Sequence, residues 1–480
     1  MNCSMGDTYI RCNIYMDSVP VLNSDVAISF YNSTDFDGKI NLPQNAVYTA
    51  TFGNCYNLNQ PVTIGNSVTN CRSMFRSCTN FNQPVTIPNS AIDCSGMFSG
   101  CHNFNLPITI PDSVTTCSTM FFDCPNMNQP VTIGNNVLSV ISMFQDCPNY
   151  NCDIILPDSV EYVGAMLTGQ TYPFSEYIFN ANVHFGNGIK DNSHINFFGN
   201  GSFMTYQAPF KTNYNAHVTF GSGVGNIKLD RFFMACYSFN CEFIIPNNTI
   251  SCNNLFAQCN NFNQPITIPN NTLYCINMFT SCPNFNKPVS LGIGVIDCST
   301  MFWNCKNFNQ SIILWGNVVQ CNAMFRDCSN FNSHVFITAG NITSCNQMFY
   351  NCNNFNQPIT IPDSVTDCSY MFRGCYNFNQ SVTIPNSATK CSYMFSSCTN
   401  FNQDLYVPDS VDVFNCSGIL SGCASYKSTI SLPCSGNAGL YATMNTLGAT
   451  VIDRTNGKRI TVVEGFWTNG AHRDYHWEES

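Results

Sequence analysis

The sequence predicts a repeat solenoid, β-rich, with one short strand and short helical or 3-10 turns per coil of about 23 residues and about 17 coils in all. Three observations carry this prediction. A single unit, C-x-x-M-F-x-x-C-x-N-F-N-Q-P-V-T-I-P-x-S-V, recurs over most of the 480 residues. Its cysteines fall in fixed columns rather than in the scattered spacing of a disulfide framework. Its P-V-T-I-P segment alternates apolar and polar residues with the period of a half-buried strand.

The register is anchored on the Met-Phe pair, at Met74, Met97, Met120, Met143, Met166, Phe232, Leu255, Met278, Met301, Met324, Met348, Met371, Met394 and Ile419, with weaker copies at Ser29, Thr51 and Phe197. Residues 1–28 lack the repeat and read as an N-terminal cap or attachment segment, because a first coil left bare would expose its core. Residues 29–168 are regular coils. In the copy at Pro84–Pro88, Val85 and Ile87 point one way and Thr86 the other, and the following proline with Asn-Ser opens a turn. The stretch S-x-x-C-x-x-M-F-x-x-C is too short for a long helix and fits one or two helical or 3-10 turns that bring its Cys, Met or Phe inward.

Between Met166 and Phe232 the register steps lengthen to 31 and 35 residues, which places insertions in coils 169–231. The insertions are rich in aromatic residues, Tyr172, Phe174, Tyr177 and Phe179 in the first and Phe203, Tyr206, Phe210 and Tyr214 in the second. Insertions in repeat proteins map to loops on one face and often form the binding face; the alternative is that these rings fill a locally wider core. Regular coils resume over 232–432. Residues 433–480 read as a C-terminal cap with a β-hairpin, since Asn456-Gly457 lies between two alternating segments.

Of the 30 cysteines, 14 stand four residues after the Met position, among them Cys78, Cys101, Cys124, Cys375 and Cys398, and 11 stand three before it. A thiol at one recurring position behaves as a small buried hydrophobe, so these read as free thiols of a solenoid core; disulfides between neighbouring coils are the alternative, allowed by a spacing of about 4.8 Å but poorly served by parallel side chains. The Asn after the second Phe recurs at Asn82, Asn105, Asn128, Asn263, Asn286, Asn309, Asn332, Asn356, Asn379 and Asn402. It reads as an inward structural ladder whose amides bond backbone groups left unpaired by the turn.

Where fixed positions build a core, varied positions carry identity. Two residues after the Met stand Arg76, Trp303, Arg326, Tyr350 and Arg373; just before it stand Tyr370 and Tyr393, and five after it stands Tyr376. If they face outward, these residues form an arginine and aromatic stripe over about residues 303–395, of the composition enriched at interface hot spots. The alternative is a set of isolated surface side chains.

The units resemble BspA-like leucine-rich repeats, which run roughly I-P-x-x-V-x-x-I-x-x-x-A-F-x-x-C-x-x-L. They are still more similar to a related lipoprotein repeat with M-F-x-x-(A/C)-x-x-F-N. The resemblance covers about residues 29–432, with Met-Phe in place of Ala-Phe and Phe-Asn in place of Leu. It implies a leucine-rich-repeat-like fold and a surface protein that mediates adhesion or host interaction. The N-terminus shows neither a signal peptide nor a lipobox, which points instead to a bacteriophage virion protein released by lysis.

Other classes are excluded in turn. A net charge of −10 with no basic run argues against nucleic acid, and no run of 18 apolar residues argues against membrane insertion. No catalytic glycine or nucleophile motif is present, and C-x6-C does not match zinc spacing, so no enzyme, cofactor or metal is expected. His472, Asp474, His476, Glu478 and Glu479 read as a solvated end. The strand threonines Thr63, Thr86, Thr109, Thr132, Thr267, Thr360 and Thr383 form one interrupted rank, a soluble sheet face rather than an ice-binding one. The leading expectation is non-catalytic recognition by a virion tail or surface protein of a protein or glycan on a bacterial host. A bacterial surface adhesin, or a purely structural spacer in a larger assembly, are the alternatives, and other virion subunits are the alternative partners.

Overall fold

A computed structural model of the chain describes residues 27–37, 51–167, 179–189, 214–338, 340–411, 413–433 and 450–454, with the further strands Ser4–Gly6, Tyr9–Arg11, Ile40–Asn41, Lys458–Thr468 and His472–Glu479. Two compact units are present, Met1–Asn248 and Thr249–Ser480, a boundary that falls inside the expected 232–432 block. Both are parallel β-solenoids of leucine-rich-repeat-like coils. About 13 turns are formed among the described residues against the expected 17 or so; the Phe197 anchor lies outside them, and the Ser29 copy is described only in part.

Most coils open with a strand of two or three residues, while the segments at 84–88, 358–362 and 381–385 run alongside without strand pairing. In the second unit Ile312–Leu314 pairs in parallel with Val335–Ile337, and Ile312 and Leu314 are buried while Ile313 faces out. The pattern follows from the two-residue side-chain period of a strand with one buried face. The strand threonines lie on that outer face and are exposed. A second ladder, one residue wide, runs through Asn70, Asp93, Thr116, Ser139 and Tyr162 in the first unit and from Ser251 to Lys390 in the second.

The Met-Phe arc realises its expected helical turns as single turns closed by i→i−3 bonds. The N–H groups of Met74, Arg76 and Cys78 donate to the carbonyls of Cys71, Ser73 and Phe75 at 3.2, 3.1 and 3.0 Å. The alternate residues Ser73, Phe75 and Ser77 donate to the next coil instead, at 2.9, 2.9 and 2.6 Å. A helix cannot propagate here because the residues one before and three after the Met adopt positive φ, as at Ser73 (53°) and Ser77 (58°). Val413–Cys416 is the one 3-10 helix among the described residues.

Two columns of phenylalanines fill the core. In the second unit Phe256, Phe279, Phe302, Phe325, Phe349, Phe372 and Phe395 stack at 5.4–5.6 Å between neighbours. Within each coil the second Phe packs against the first, as Phe331 does on Phe325 at 4.3 Å. The methionines of the arc are fully buried beside them.

Every described cysteine is a free thiol, and those of the two columns are buried. The column four after the Met has a polar task as well: the Cys101 Sγ donates to the Phe75 carbonyl at 3.0 Å, and Cys78, Cys124, Cys375 and Cys398 repeat the bond at 2.9–3.0 Å. Burial pushes the Cys124 and Cys305 thiols up to about 12, against a usual value near 9.

The asparagine ladder is a ladder, but it lies on the outside of the coil and not inward. Asn82, Asn128 and Asn286 are exposed, and Asn105, Asn263, Asn356 and Asn379 partly so. Each Oδ1 accepts the backbone N–H of the Asn one coil on, as from Asn105 to Asn82 at 3.0 Å and from Asn379 to Asn356 at 2.9 Å. The unpaired groups are N–H groups at the coil edge, so the amide that serves them sits at the edge too.

Two of the aromatic residues expected in loops belong to this core. Phe179 and Tyr214 are buried, stack on each other at 5.6 Å, and are each followed by a ladder asparagine, Asn180 and Asn215. They occupy the second Phe column, and the strands Val183–Phe185 and Val218–Phe220 pair in register behind them. Tyr172, Phe174, Tyr177, Phe203, Tyr206 and Phe210 lie outside the described residues.

The ends are closed by strands. Ser4–Gly6 and Tyr9–Arg11 form an antiparallel pair whose second strand lies parallel to Ala27–Ser29, next to the first stacked ring, Phe30. At the other end Thr450–Asp453 joins Thr429–Leu432 in parallel and then pairs antiparallel with Lys458–Thr468, the expected hairpin. Arg454 fastens it to the coil below: its guanidinium lies 4.1 Å from the centre of the Tyr406 ring, bonds the Val407 carbonyl at 2.6 Å and pairs with Asp409 at 2.5 Å.

Candidate functional site

In the second unit, the side chains two residues after the Met leave the arc outward from successive coils, about one ring spacing apart. Their backbone is held twice over. The Trp303, Arg326, Tyr350 and Arg373 N–H groups each close an i→i−3 turn at 3.0–3.1 Å, and their carbonyls each accept from the preceding coil at 2.7–2.8 Å. Side chains on such a frame are pre-positioned, which lowers the entropic cost of using them for binding.

The structure brings the predicted stripe, Tyr376 excepted, together as one stack. The Arg326 guanidinium lies over Trp303 at 5.4 Å and Tyr350 at 4.8 Å. Arg373 lies over Tyr350 at 5.6 Å, Tyr370 at 5.7 Å and Tyr393 at 5.6 Å, and Tyr370 stacks on Tyr393 at 5.3 Å. Each cation–ring contact at such a partly exposed site stabilises by roughly 0.5–1 kcal/mol. Tyr376, 46% exposed, makes no ring contact with the stack among the described residues, and Arg76 lies exposed in the first unit.

The two arginines differ in what they have left to offer. Arg326 is engaged by its own chain: Nη1 donates to Gln347 Oε1 at 2.6 Å, and Nε lies 3.4 Å from Asp327 Oδ2 as an ion pair without hydrogen-bond alignment. Asp327 is in turn bonded by the Trp303 indole N–H at 2.9 Å and by Asn351 Nδ2 at 2.8 Å. The Arg373 guanidinium has no hydrogen-bond or ion-pair partner among the described residues, and neither have the hydroxyls of Tyr350, Tyr370 and Tyr393. A guanidinium carries five N–H donors in one plane and stays charged at any physiological pH. The stack therefore ends in a fixed, half-exposed cation ringed by three phenols.

Sequence reasoning found the columns but missed the residues that tune them. Asp327, Gln347 and Asn351 sit in neighbouring varied columns, and their sign of a role was one acidic residue beside an arginine. Gly418 was missed as well. It has a φ of +65°, and a Cβ there would collide with the Tyr393 ring, so the glycine lets that ring lie flat on the next coil. Elsewhere, a groove of about 390 Å³ in the first unit is lined by His217, Thr219, Phe220, Glu242 and Ile244, none of them predicted site residues.

A family model described as "Mycoplasma protein of unknown function, DUF285" matches residues 24–109, 89–171, 226–292, 277–383 and 338–433. Among solved structures, a leucine-rich repeat protein from Bacteroides ovatus is 15% identical over 90% of this chain and 92% of its own, with a TM-score of 0.34. A leucine rich cell surface protein from Faecalibacterium prausnitzii is 15% identical over 83% and 84%, with a TM-score of 0.25. No curated protein matches the sequence.

Proposed function

Since the chain belongs to the DUF285 family of repeat proteins, we propose that it is a non-catalytic recognition protein, displayed at a bacterial surface or outside the cell. It docks a cell-surface protein or glycan through the arginine and tyrosine stack of the second unit. One observation carries this reading: Arg373 is held among three tyrosine rings on a doubly bonded backbone, and its guanidinium donors meet no acceptor among the described residues. A side chain kept only for stability would be expected to satisfy its own charge, as Arg326 does with Asp327 and Gln347. The resemblance to BspA-like repeats, whose members typically act at surfaces, supports the location. Adhesion asks for such a surface: rigid, aromatic, with arginine at its centre and few competing intramolecular bonds.

Two measurements test the reading. Immunogold labelling of a producing culture is expected to decorate intact cell envelopes or the extracellular matrix; gold on released phage particles instead would assign the same surface to a virion. Fluorescently labelled protein is expected to bind bacterial cells saturably at physiological salt. Absence of saturable binding to every surface offered would overturn recognition and leave a structural spacer.

A further inference from the structure

We infer that the Arg373 stack is a binding site for a carboxylated sugar, an acidic saccharide unit of a cell-surface glycan. The inference rests on the recognition reading and names its ligand. A planar fork of N–H donors matches a carboxylate, which it can engage through two parallel bonds. The alternatives fit the surroundings less well. A nucleic acid or polyphosphate presents many charges, whereas the stack offers one unpaired guanidinium on a chain of net charge −10. A peptide binds by an apolar anchor in a pocket or by adding to a sheet edge. The faces of Tyr370 and Tyr393 are turned on each other and on Arg373. What the stack presents is therefore ring edges and hydroxyls.

Those hydroxyls decide the class. Three phenols whose hydroxyls have no hydrogen-bond partner among the described residues surround the cation, each able to donate and to accept. Ligand hydroxyls beside a carboxylate would meet them, and a sugar acid carries both on one ring. Rings of successive coils lie 5.3 Å apart in the stack, at Tyr370 and Tyr393, and 5.4–5.6 Å apart in the buried Phe column behind it, so an extended oligosaccharide can place successive rings against successive coils.

The test uses the full chain and a panel of uronate and sialate oligosaccharides, each paired with its carboxyl-reduced form, together with poly-glutamate, read by titration calorimetry. At least one carboxylated sugar is expected to bind and its reduced form to fail. Arg373→Gln is expected to weaken binding by roughly ten- to a hundredfold, as for loss of a charge-assisted pair. Arg373→Lys stays weakened because the charge survives and the fork does not, and Lys306→Gln, a cation outside the stack, binds as the parent does. Tyr370→Phe, which removes only a hydroxyl, weakens sugar binding severalfold with the circular dichroism unchanged. Binding of poly-glutamate with none of the sugars would replace the assignment by an acidic-protein partner. Sugar binding indifferent to carboxyl reduction or to Arg373→Gln would overturn it. If cells are bound saturably while the whole panel fails, the saccharide is wrong and recognition stands; if cells are not bound either, both fall.

Discussion

Replacing Phe325 by alanine is the most informative perturbation of the fold. Phe325 is fully buried and its ring meets four others, Phe302 at 5.5 Å, Phe308 at 6.2 Å, Phe331 at 4.3 Å and Phe349 at 5.5 Å. A buried Phe→Ala change costs about 3–5 kcal/mol, more where the surroundings cannot collapse into the space. Here Phe302 and Phe349 are fixed by the hydrogen bonds of their own coils, so the upper part of that range, about 4–5 kcal/mol, is expected. Phe336→Ala is the control: its ring is 52% exposed and stacks only on His334, so the loss should stay within about 1 kcal/mol. Urea unfolding followed by tryptophan fluorescence reads the right part of the molecule, because Trp303, Trp315, Trp467 and Trp477 all lie in the second unit. In a stack where each coil touches only its neighbours, the gap at Phe325 should also lower the unfolding slope by dividing the array. A loss below about 2 kcal/mol for Phe325→Ala would refute the ring columns as the source of coil cohesion.

Three further outcomes follow from the same geometry. Buried thiols such as Cys124 and Cys305, pushed up to about 12, favour the folded state while protonated. Their contribution is complete below the usual thiol value near 9 and is lost as pH rises from there toward 12, at about 1.4 kcal/mol per thiol per pH unit. The urea midpoint should thus be level up to about pH 8.5 and fall steeply above 9, and at pH 8 a thiol reagent should label the half-exposed Cys152 and Cys241 well before either column. Asn332→Ala removes the acceptor of the Asn356 N–H at 2.8 Å and of Gln357 Nε2 at 3.3 Å; at this solvated edge the loss should be about 0.5–1.5 kcal/mol, far short of a ring deletion. Gly418→Ala should push the Tyr393 ring off its coil and add about 1–2 kcal/mol of left-handed strain, weakening cell binding while circular dichroism shows the solenoid intact.

The solenoid was legible because one period carries several independent marks at once: the Met-Phe pair, two cysteines and the alternating strand. The shape of the arc was not. Its two left-handed positions are filled by Ser, Thr, Ala, Asn, Gln, Asp, Arg and Tyr as well as glycine, so only Gly96, Gly100, Gly374, Gly418 and Gly422 betray them. Those conformations are enforced by bonds to the next coil, a tertiary cause that no local propensity records. The asparagine ladder was visible as a column, but which side it faced depends on where the unpaired N–H groups lie. Phe179 and Tyr214 were hidden by insertions that shifted the register, although the asparagine after each was the available sign that they belong to the core column. For the stripe, column spacing foretold the alignment of Trp303, Arg326, Tyr350 and Arg373. It could not foretell that Asp327 and Gln347 engage one arginine while the other guanidinium has no partner among the described residues.

The claim that this stack is the recognition surface meets its most direct test in one comparison on intact bacterial cells: the parent chain against Arg373→Gln and Tyr393→Ala, with folding checked by circular dichroism and urea midpoint. The account predicts that both variants keep the fold and lose saturable binding by roughly tenfold or more, as expected when a central aromatic or arginine anchor is removed. Folded variants that bind cells as tightly as the parent would contradict it, and would send the search for the docking surface to another face of the solenoid.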